Sequence, residues 1–534
     1  MNITSKGRTA PKDAAEVDEH DVVVTDGRRR NWILASMCIA LVAVVASVSG
    51  LNVAQSALAA ELNATQSQLL WIINGYTLAL AALLMPVGAI GDRWGRKPIL
   101  MVGLVAFAAT NLASALARDP NLLIALRVLA GVSAAMVMPV TLSVITTSFP
   151  REEQAKAIGT WAGFAGGGGI IGLFVSAAVV DNVTWPWIFA LPIMLAAVSF
   201  VLSARFVPHS VEHSGAGFDV AGSILSAIAV GGLVLMCHEG PERGWTDAVT
   251  LTAAFAGVAA SVAFVRTELR REHPLLDVRI FRSRGLAAGS INLFVVFAVM
   301  FSLFLVLVQY LQAVLGYSAM EAASGLLPMA IMMMPLSTVA PMIAERIGFR
   351  RTLVAGMLLM AAGLVTFALL ADPNRGYLTV LPGTLILGAG VGLAMSPSTA
   401  AITSSLPEEK QGVASSLNDT VREMGGAVGI ALIGSVLNSA YQTNVTPAAE
   451  RFPPAVAKPA IEGIGGALAA ASHLGPNGSS LVDAARQAFV DGMVPALLLA
   501  AGLSVAAAIY TALRGPKSAA EAEPGLHEDA IDPE

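Results

Sequence analysis

The sequence predicts an all-α, polytopic membrane protein with fourteen transmembrane helices. Three observations carry this. Hydrophobic residues make up 55% of the 534-residue chain and charged ones only 13%, about half the charge of a soluble domain. Charge-poor runs of ~20 residues, enough to cross a ~30 Å hydrocarbon core, recur fourteen times. The alternating ten-residue segments of a membrane β-barrel are absent. High hydrophobicity also excludes a disordered chain, and a net charge of −5 leaves no basic footprint for nucleic acid.

The first run, 31–53, follows Arg28, Arg29 and Arg30. It is too long for a signal peptide and lacks a cleavage-like end, so it reads as a span. Runs at 69–91, 98–117, 121–147, 157–180 and 186–204 complete a first set of six. Two more, 219–237 and 248–265, stand before an amphipathic stretch at 270–284. A second set of six follows at 286–312, 322–344, 352–371, 377–403, 411–440 and 492–513. Between its last two members, residues 443–490 are rich in Ala, Gly, Pro and Ser and read as a long loop. Within it, Leu481 to Phe489 patterns as a short amphipathic helix suited to the membrane surface. The expected division is a tail at 1–30, a bundle at 31–206, two inserted helices and a linker at 207–285, a bundle at 286–513 and a tail at 514–534.

With a cytoplasmic N-terminus, 21 of the 32 Lys and Arg fall on inside flanks or loops. Six, Arg118, Arg243, Arg375, Arg451, Lys458 and Arg486, fall outside. The positive-inside rule then places both ends in the cytoplasm and the chain in the plasma (inner) membrane.

The connection after span two recurs after span ten. Asp92, Arg93, Gly95 and Lys97 are matched by Glu345, Arg346, Gly348 and Arg350, each 253 positions later. The chain therefore reads as two related helix bundles, a construction typical of secondary transporters. Positive-inside anchoring explains Arg93, Arg96 and Lys97; it leaves Asp92, Gly88 and Gly95 unexplained, and the two glycines are small enough for close helix approach.

Away from the ends of the runs, four charged residues fall inside spans: Arg127 in span four, and Asp419, Arg422 and Glu423 in span thirteen. Charge in the bilayer is costly and usually functional. Asp419 shares a helix face with Arg422 (i, i+3) and Glu423 (i, i+4), and the trio carries a net −1 when ionised. Asp419 or Glu423 is the candidate proton-carrying or cation-binding carboxylate; the alternative is a self-neutralised pair that fixes helix packing. Arg127 has no acid in its own span. It either finds a partner on another helix or snorkels to the surface.

A substrate cavity between the bundles at mid-membrane would draw on Asn52, Gln55, Asn74, Tyr76, Trp161, Asn292, Phe301 and Gln309. Few acids line it, which suits hydrophobic or amphiphilic ligands.

Gly88-x-x-x-Asp92-Arg93-x-Gly95-Arg96-Lys97 resembles the loop signature of the major facilitator superfamily. Fourteen spans, Trp71-Ile72-Ile73-Asn74-Gly75-Tyr76 at span two, Arg127-x-x-x-Gly131 in span four and His273-Pro274-Leu275-Leu276-Asp277 before span nine are similar to its fourteen-helix drug:proton antiporter branch. The resemblance implies the major facilitator fold, two six-helix bundles plus two inserted helices, acting as a monomer with protons, a small amphiphilic substrate and the lipid bilayer as its partners. It implies proton-driven export, with Arg127 in proton coupling and Asp92 holding the first bundle against the N-terminal end of span thirteen. The chain departs from the branch in three places: Ser47 stands where an Asp is usual, Leu173 where a Pro is usual, and Ser176-Ala177 where Gly-Gly is usual. An importer or uncoupled facilitator on the same fold therefore stays open, as does a non-transporting scaffold or sensor.

Nothing points to an enzyme, a cofactor or a metal. No H-E-x-x-H occurs, and no G-x-S-x-G with triad partners. The Gly166–Gly172 run contains G-x-G-x-x-G but follows no strand, so it reads as helix packing rather than nucleotide binding. Without a Walker motif, ATP does not drive the protein directly.

Overall fold

The computed structural model describes residues 23–53, 58, 61–62, 64–208, 218–373 and 375–516. Gln55, the side chain of Asn52 and most of both tails lie outside the described residues.

Sixteen α-helices are described. The first eight are α1 (Gly27–Val53), α2 (Gln66–Trp94), α3 (Arg96–Leu116), α4 (Pro120–Ser148), α5 (Arg151–Asn182), α6 (Ala190–Phe206), α7 (Val220–Arg243) and α8 (Ala248–Glu268). The second eight are α9 (Arg284–Gln309), α10 (Ala319–Ile347), α11 (Phe349–Leu370), α12 (Leu381–Thr403), α13 (Gln411–Ala449), α14 (Pro454–Glu462), α15 (Ile464–Ser472) and α16 (Ser479–Arg514). All but α14 and α15 lie in the fourteen segments long and apolar enough to cross a membrane, and no strand occurs among the described residues.

Local chemistry sets the starts. Thr65 and Ser318 form capping boxes with Gln68 and Glu321 at the heads of α2 and α10. Asp119, Asp219 and Asp247 accept backbone N–H groups at the heads of α4, α7 and α8.

The repeat is a repeat of geometry. Gly95 ends α2 at φ 99° and Gly348 ends α10 at φ 95°, a region closed to most L-residues. Gly95 is thus required by its backbone angle, whereas close helix approach, expected of both glycines, holds at Gly88. The helix pairing repeats too. In the first half α1 packs on α5 and α6, and α4 on α2 and α3; in the second, α9 packs on α13 and α16, and α12 on α10 and α11. The halves then meet reciprocally, α2 on α13 and α10 on α5. The inserted α7 and α8 pair with each other, and α7 lies against α2 and α13.

The segment 443–490 corrects the sequence expectation. It is folded rather than a long loop. α13 runs on to Ala449, α14 and α15 follow, and the stretch expected on the membrane surface is the first part of α16, with Leu481, Ala485 and Phe489 buried. Pro453 and Gly463 suggest a loop but sit at helix starts, where they are tolerated; the alanines between them are strong helix formers. Tyr441 donates its hydroxyl to Ala460 O at 2.8 Å and ties this cap to α13.

Candidate functional site

Two buried ionic sites and one inter-bundle clasp make up the candidate site. The clasp forms where α2 ends against the start of α13. Gly412 and Val413 are the second and third residues of α13, so their N–H groups have no partner within the helix. They donate to Asp92 Oδ1 at 2.7 Å and Oδ2 at 3.0 Å, and the positive end of the helix dipole favours the carboxylate. Arg96 Nη2 pairs with Asp92 Oδ1 at 3.0 Å from the following helix. Gly88 lets the helices come this close: a Cβ there would stand 1.8 Å from Ser416 Oγ and 2.5 Å from Gly412 O. Lys97 caps α6 instead, donating to Ala204 O at 3.0 Å and Val207 O at 2.7 Å, and Arg93 lies over the Trp94 ring.

The second copy departs from this pattern. Glu345 and Arg346, expected to latch as their counterparts do, are exposed, and no hydrogen bond joins them to α5 among the described residues. Arg350 donates to Gly515 O. The head of α5 carries Glu152 and Glu153, with Glu153 paired to Arg30 at 2.7 Å. A third carboxylate facing that first turn would be repelled. The turns themselves stay symmetric: Gln154 donates to Thr146 O and Phe149 O, as Gln411 donates to Thr403 O and Leu406 O. The sequence reading did not single out this glutamine pair, although its 257-residue spacing nearly repeats that of the loop.

Two turns along α13 from Gly412 lies the buried trio. Asp419 is fully buried; its Oδ1 accepts from Arg422 Nη1 at 3.0 Å and from Asn418 Nδ2 at 3.2 Å. Arg422 lies over Phe297 of α9, 4.5 Å from the ring centroid. It reaches across the bundle interface to Trp161 of α5, 5.4 Å from that centroid. Trp161 is held by its indole N–H, donated to Thr141 Oγ1 at 3.0 Å. Asp419 Oδ2 has no hydrogen-bond partner among the described residues. Glu423 is half-buried and makes no described ion pair.

Arg127 does not snorkel. It is fully buried, donates to Ser47 Oγ at 2.9 Å, Ser47 O at 3.3 Å and Ile72 O at 3.3 Å, and lies 4.3 Å from the Tyr76 ring centroid. Ser47 donates its hydroxyl to Asn111 Oδ1 at 3.0 Å, and Tyr76 donates to Val44 O at 3.0 Å. Among the described residues, every hydrogen-bond partner of this cation is neutral.

The expected cavity residues do not converge on one chamber. Asn292 donates to Thr511 Oγ1 of α16 at 2.7 Å, inside its own bundle, because the buried amide finds its nearest polar partner there. Phe301 packs edge-on against Phe297 and covers Gly426. Tyr76 lies under Arg127, Gln309 is half-buried at the end of α9, and Asn74 lines a separate crevice with α7. Trp161 of the first bundle touches Arg422 of the second. An apolar crevice of about 430 Å³ lies between α1, α5 and α6, with Leu34, Val42, Phe164 and Leu195 in its walls.

The contacts between bundles gather toward the side where α1 begins and α16 ends, the terminal side. Besides Asp92 with Gly412, Ser337 donates to Gly159 O at 3.0 Å, and Met333 and Met334 fill the space beside Gly166 and Gly167. The bundles are therefore clasped on that side.

Comparison with known proteins agrees with this architecture. The chain is 31% identical over 483 residues to the multidrug efflux pump LfrA of Mycolicibacterium smegmatis, covering 90% of this chain and 95% of the relative. It is 31% identical over 494 residues to the tetracenomycin C resistance and export protein of Streptomyces glaucescens, covering 90% and 91%. Among solved structures, the proton:xylose symporter XylE superposes with a TM-score of 0.59 at 12% identity, covering 92% of this chain and 96% of that one. The family model described as Major Facilitator Superfamily matches residues 37–430, and the chain belongs to that superfamily.

Proposed function

We propose that the protein exports hydrophobic or amphiphilic drugs or metabolites in exchange for protons, by alternating access. The observation that carries this reading is the buried Asp419–Arg422–Glu423 trio on α13, in contact with Trp161 across the bundle interface. A scaffold has little need of buried charge in a membrane. Relatives that are drug-resistance and export proteins support the direction of transport. Residues 31–206 and 286–513 act as the two rocking units and 207–285 as their insert. Both termini face the cytoplasm of the plasma membrane, and one chain suffices.

In this scheme the clasped terminal side is the cytoplasmic side, so the trio exchanges protons with the outer side. Asp419 is paired with Arg422 and Asn418 through Oδ1, whereas Glu423 makes no described ion pair, and in this scheme Glu423 is the carboxylate that takes up a proton. Neutralising Glu423 changes the charge on α13 roughly 16 Å from Gly412, at 1.5 Å per residue. The helix that bears the proton is the one Asp92 holds, so protonation and the clasp bias the same two-state element. With the clasp open, the cytoplasmic side takes up substrate and Glu423 releases its proton inward.

One observation favours an uncoupled facilitator as a second reading. Ser47 gives Arg127 a neutral partner, so the first bundle contributes no carboxylate to that buried site. Retention of ethidium in cells expressing wild type, Asp419→Asn or Glu423→Gln, with and without a protonophore, separates the two. Proton-driven export predicts low retention in wild type that rises with the protonophore and with Glu423→Gln. Retention low in all three and indifferent to the protonophore overturns it.

A further inference from the structure

We propose that the crevice between α2 and α7, on the face opposite the clasp, binds an aromatic organic cation. Its volume is about 300 Å³, at the small end of ligand pockets. Trp71 and Asn74 of α2 form one wall, and His238, Glu239, Glu242 and Arg243 of α7 the other. The crevice exists because the inserted α7 packs on α2.

Its chemistry points to a cation with a flat ring. Glu239 is only 8% exposed, so its charge acts in a largely water-free setting. Its partner is Arg243 in the next turn, whose side chain is 44% exposed, so water weakens that pairing. Glu242 adds a second carboxylate, so the acids outnumber the guanidinium before any ligand enters. His238 Nδ1 is buried without a hydrogen-bond partner among the described residues, an acceptor or donor ready for a ligand's polar group. The Trp71 indole supplies a face for cation–π contact beside these charges. Neither wall belongs to the Asp419 trio or to the clasp.

The crevice also borders the buried cation of the first bundle. Trp71 precedes Ile72, whose carbonyl accepts from Arg127 Nε at 3.3 Å. Under the export reading, on which its purpose rests, this is the first site a released substrate meets on the far side. Binding itself does not require that reading.

The test uses the full chain, purified in detergent, with Ser67→Cys as a reporter on the exposed rim; Cys38 and Cys237 are buried. The rate of labelling by a charged maleimide is measured with and without ethidium. Ethidium is expected to slow labelling at least about threefold, and Glu239→Gln with Glu242→Gln to remove that protection. Glu242→Gln alone, at an exposed position, is expected to weaken it and guards against misfolding of the double variant. Glu423→Gln is expected to leave protection intact. Unchanged labelling, protection that survives the double substitution, or equal protection by neutral N-phenyl-1-naphthylamine would each overturn the assignment. Absence of ethidium efflux in cells would count against export and leave the labelling result standing.

Discussion

Gly88→Ala tests the clasp directly. The added methyl group would meet Ser416 Oγ at 1.8 Å and Gly412 O at 2.5 Å. The serine hydroxyl can rotate away; the carbonyl is part of the first turn of α13 and cannot. Restoring ordinary contact requires α2 and α13 to part by roughly 1 Å. That separation carries Asp92 Oδ1 and Gly412 N, now at 2.7 Å, and Oδ2 and Val413 N, now at 3.0 Å, beyond effective hydrogen-bond range. Two bonds to a charged acceptor contribute about 1.5–3 kcal/mol each; with water recovering part of the loss, the clasped state should weaken by ~2–4 kcal/mol. At 1.4 kcal/mol per decade, this is a shift of about 30- to 1,000-fold toward the open state. Spin labels at Glu152→Cys on α5 and Arg351→Cys on α11, both exposed at the terminal side, report the separation by double electron–electron resonance. A new, longer distance population in Gly88→Ala is expected. A single distribution identical to that of the labelled parent would refute the reasoning.

Other substitutions probe the remaining parts. Asp92→Asn keeps one acceptor but loses the charge facing the helix dipole; transport should fall several-fold while the thermal midpoint of the purified protein changes little. Asp419→Ala strands a buried guanidinium and should destabilise the fold by about 3–5 kcal/mol, whereas Glu423→Gln should leave thermal inactivation near wild type, since Glu423 makes no described ion pair. Ser47→Ala removes a partner from Arg127 Nη1 and should cost about 1–3 kcal/mol; Ser47→Asp, which supplies a carboxylate at the same place, should raise the melting temperature. Gly95→Ala and Gly348→Ala should destabilise by a similar ~1–2 kcal/mol, because both replace a residue at φ near 95–99°; a large difference between them would separate turn geometry from the clasp.

Most of the fold was legible because hydropathy and charge act locally. Each span announces itself within about twenty residues, and the repeated loop marks both halves through residues whose turn geometry the backbone dictates. The clasp was legible as a motif, but its one-sidedness was not. Glu345 matches Asp92 in the sequence, but the helix head it would have to meet, that of α5, is acidic, which the loop motif does not reveal. Arg127 was conspicuous while its partner was not: a serine in an apolar run carries no signal until α1 is laid beside α4. Asn292 misled for the same reason, since the hydroxyl that takes its amide N–H, Thr511, comes near only once α9 and α16 pack together. The helical cap at 443–490 was hidden by prolines and glycines that mark helix starts as readily as loops.

The length of α13 and α16 has a practical consequence. At 39 and 36 residues they measure about 58 and 54 Å, well beyond a ~30 Å hydrocarbon core, and α14 and α15 pack on them to make a helical projection. Transporters without soluble domains give featureless particles in electron micrographs. Here the projection itself carries the asymmetric mass that fixes particle orientation. An antibody fragment raised against it would enlarge that landmark without touching the moving interface.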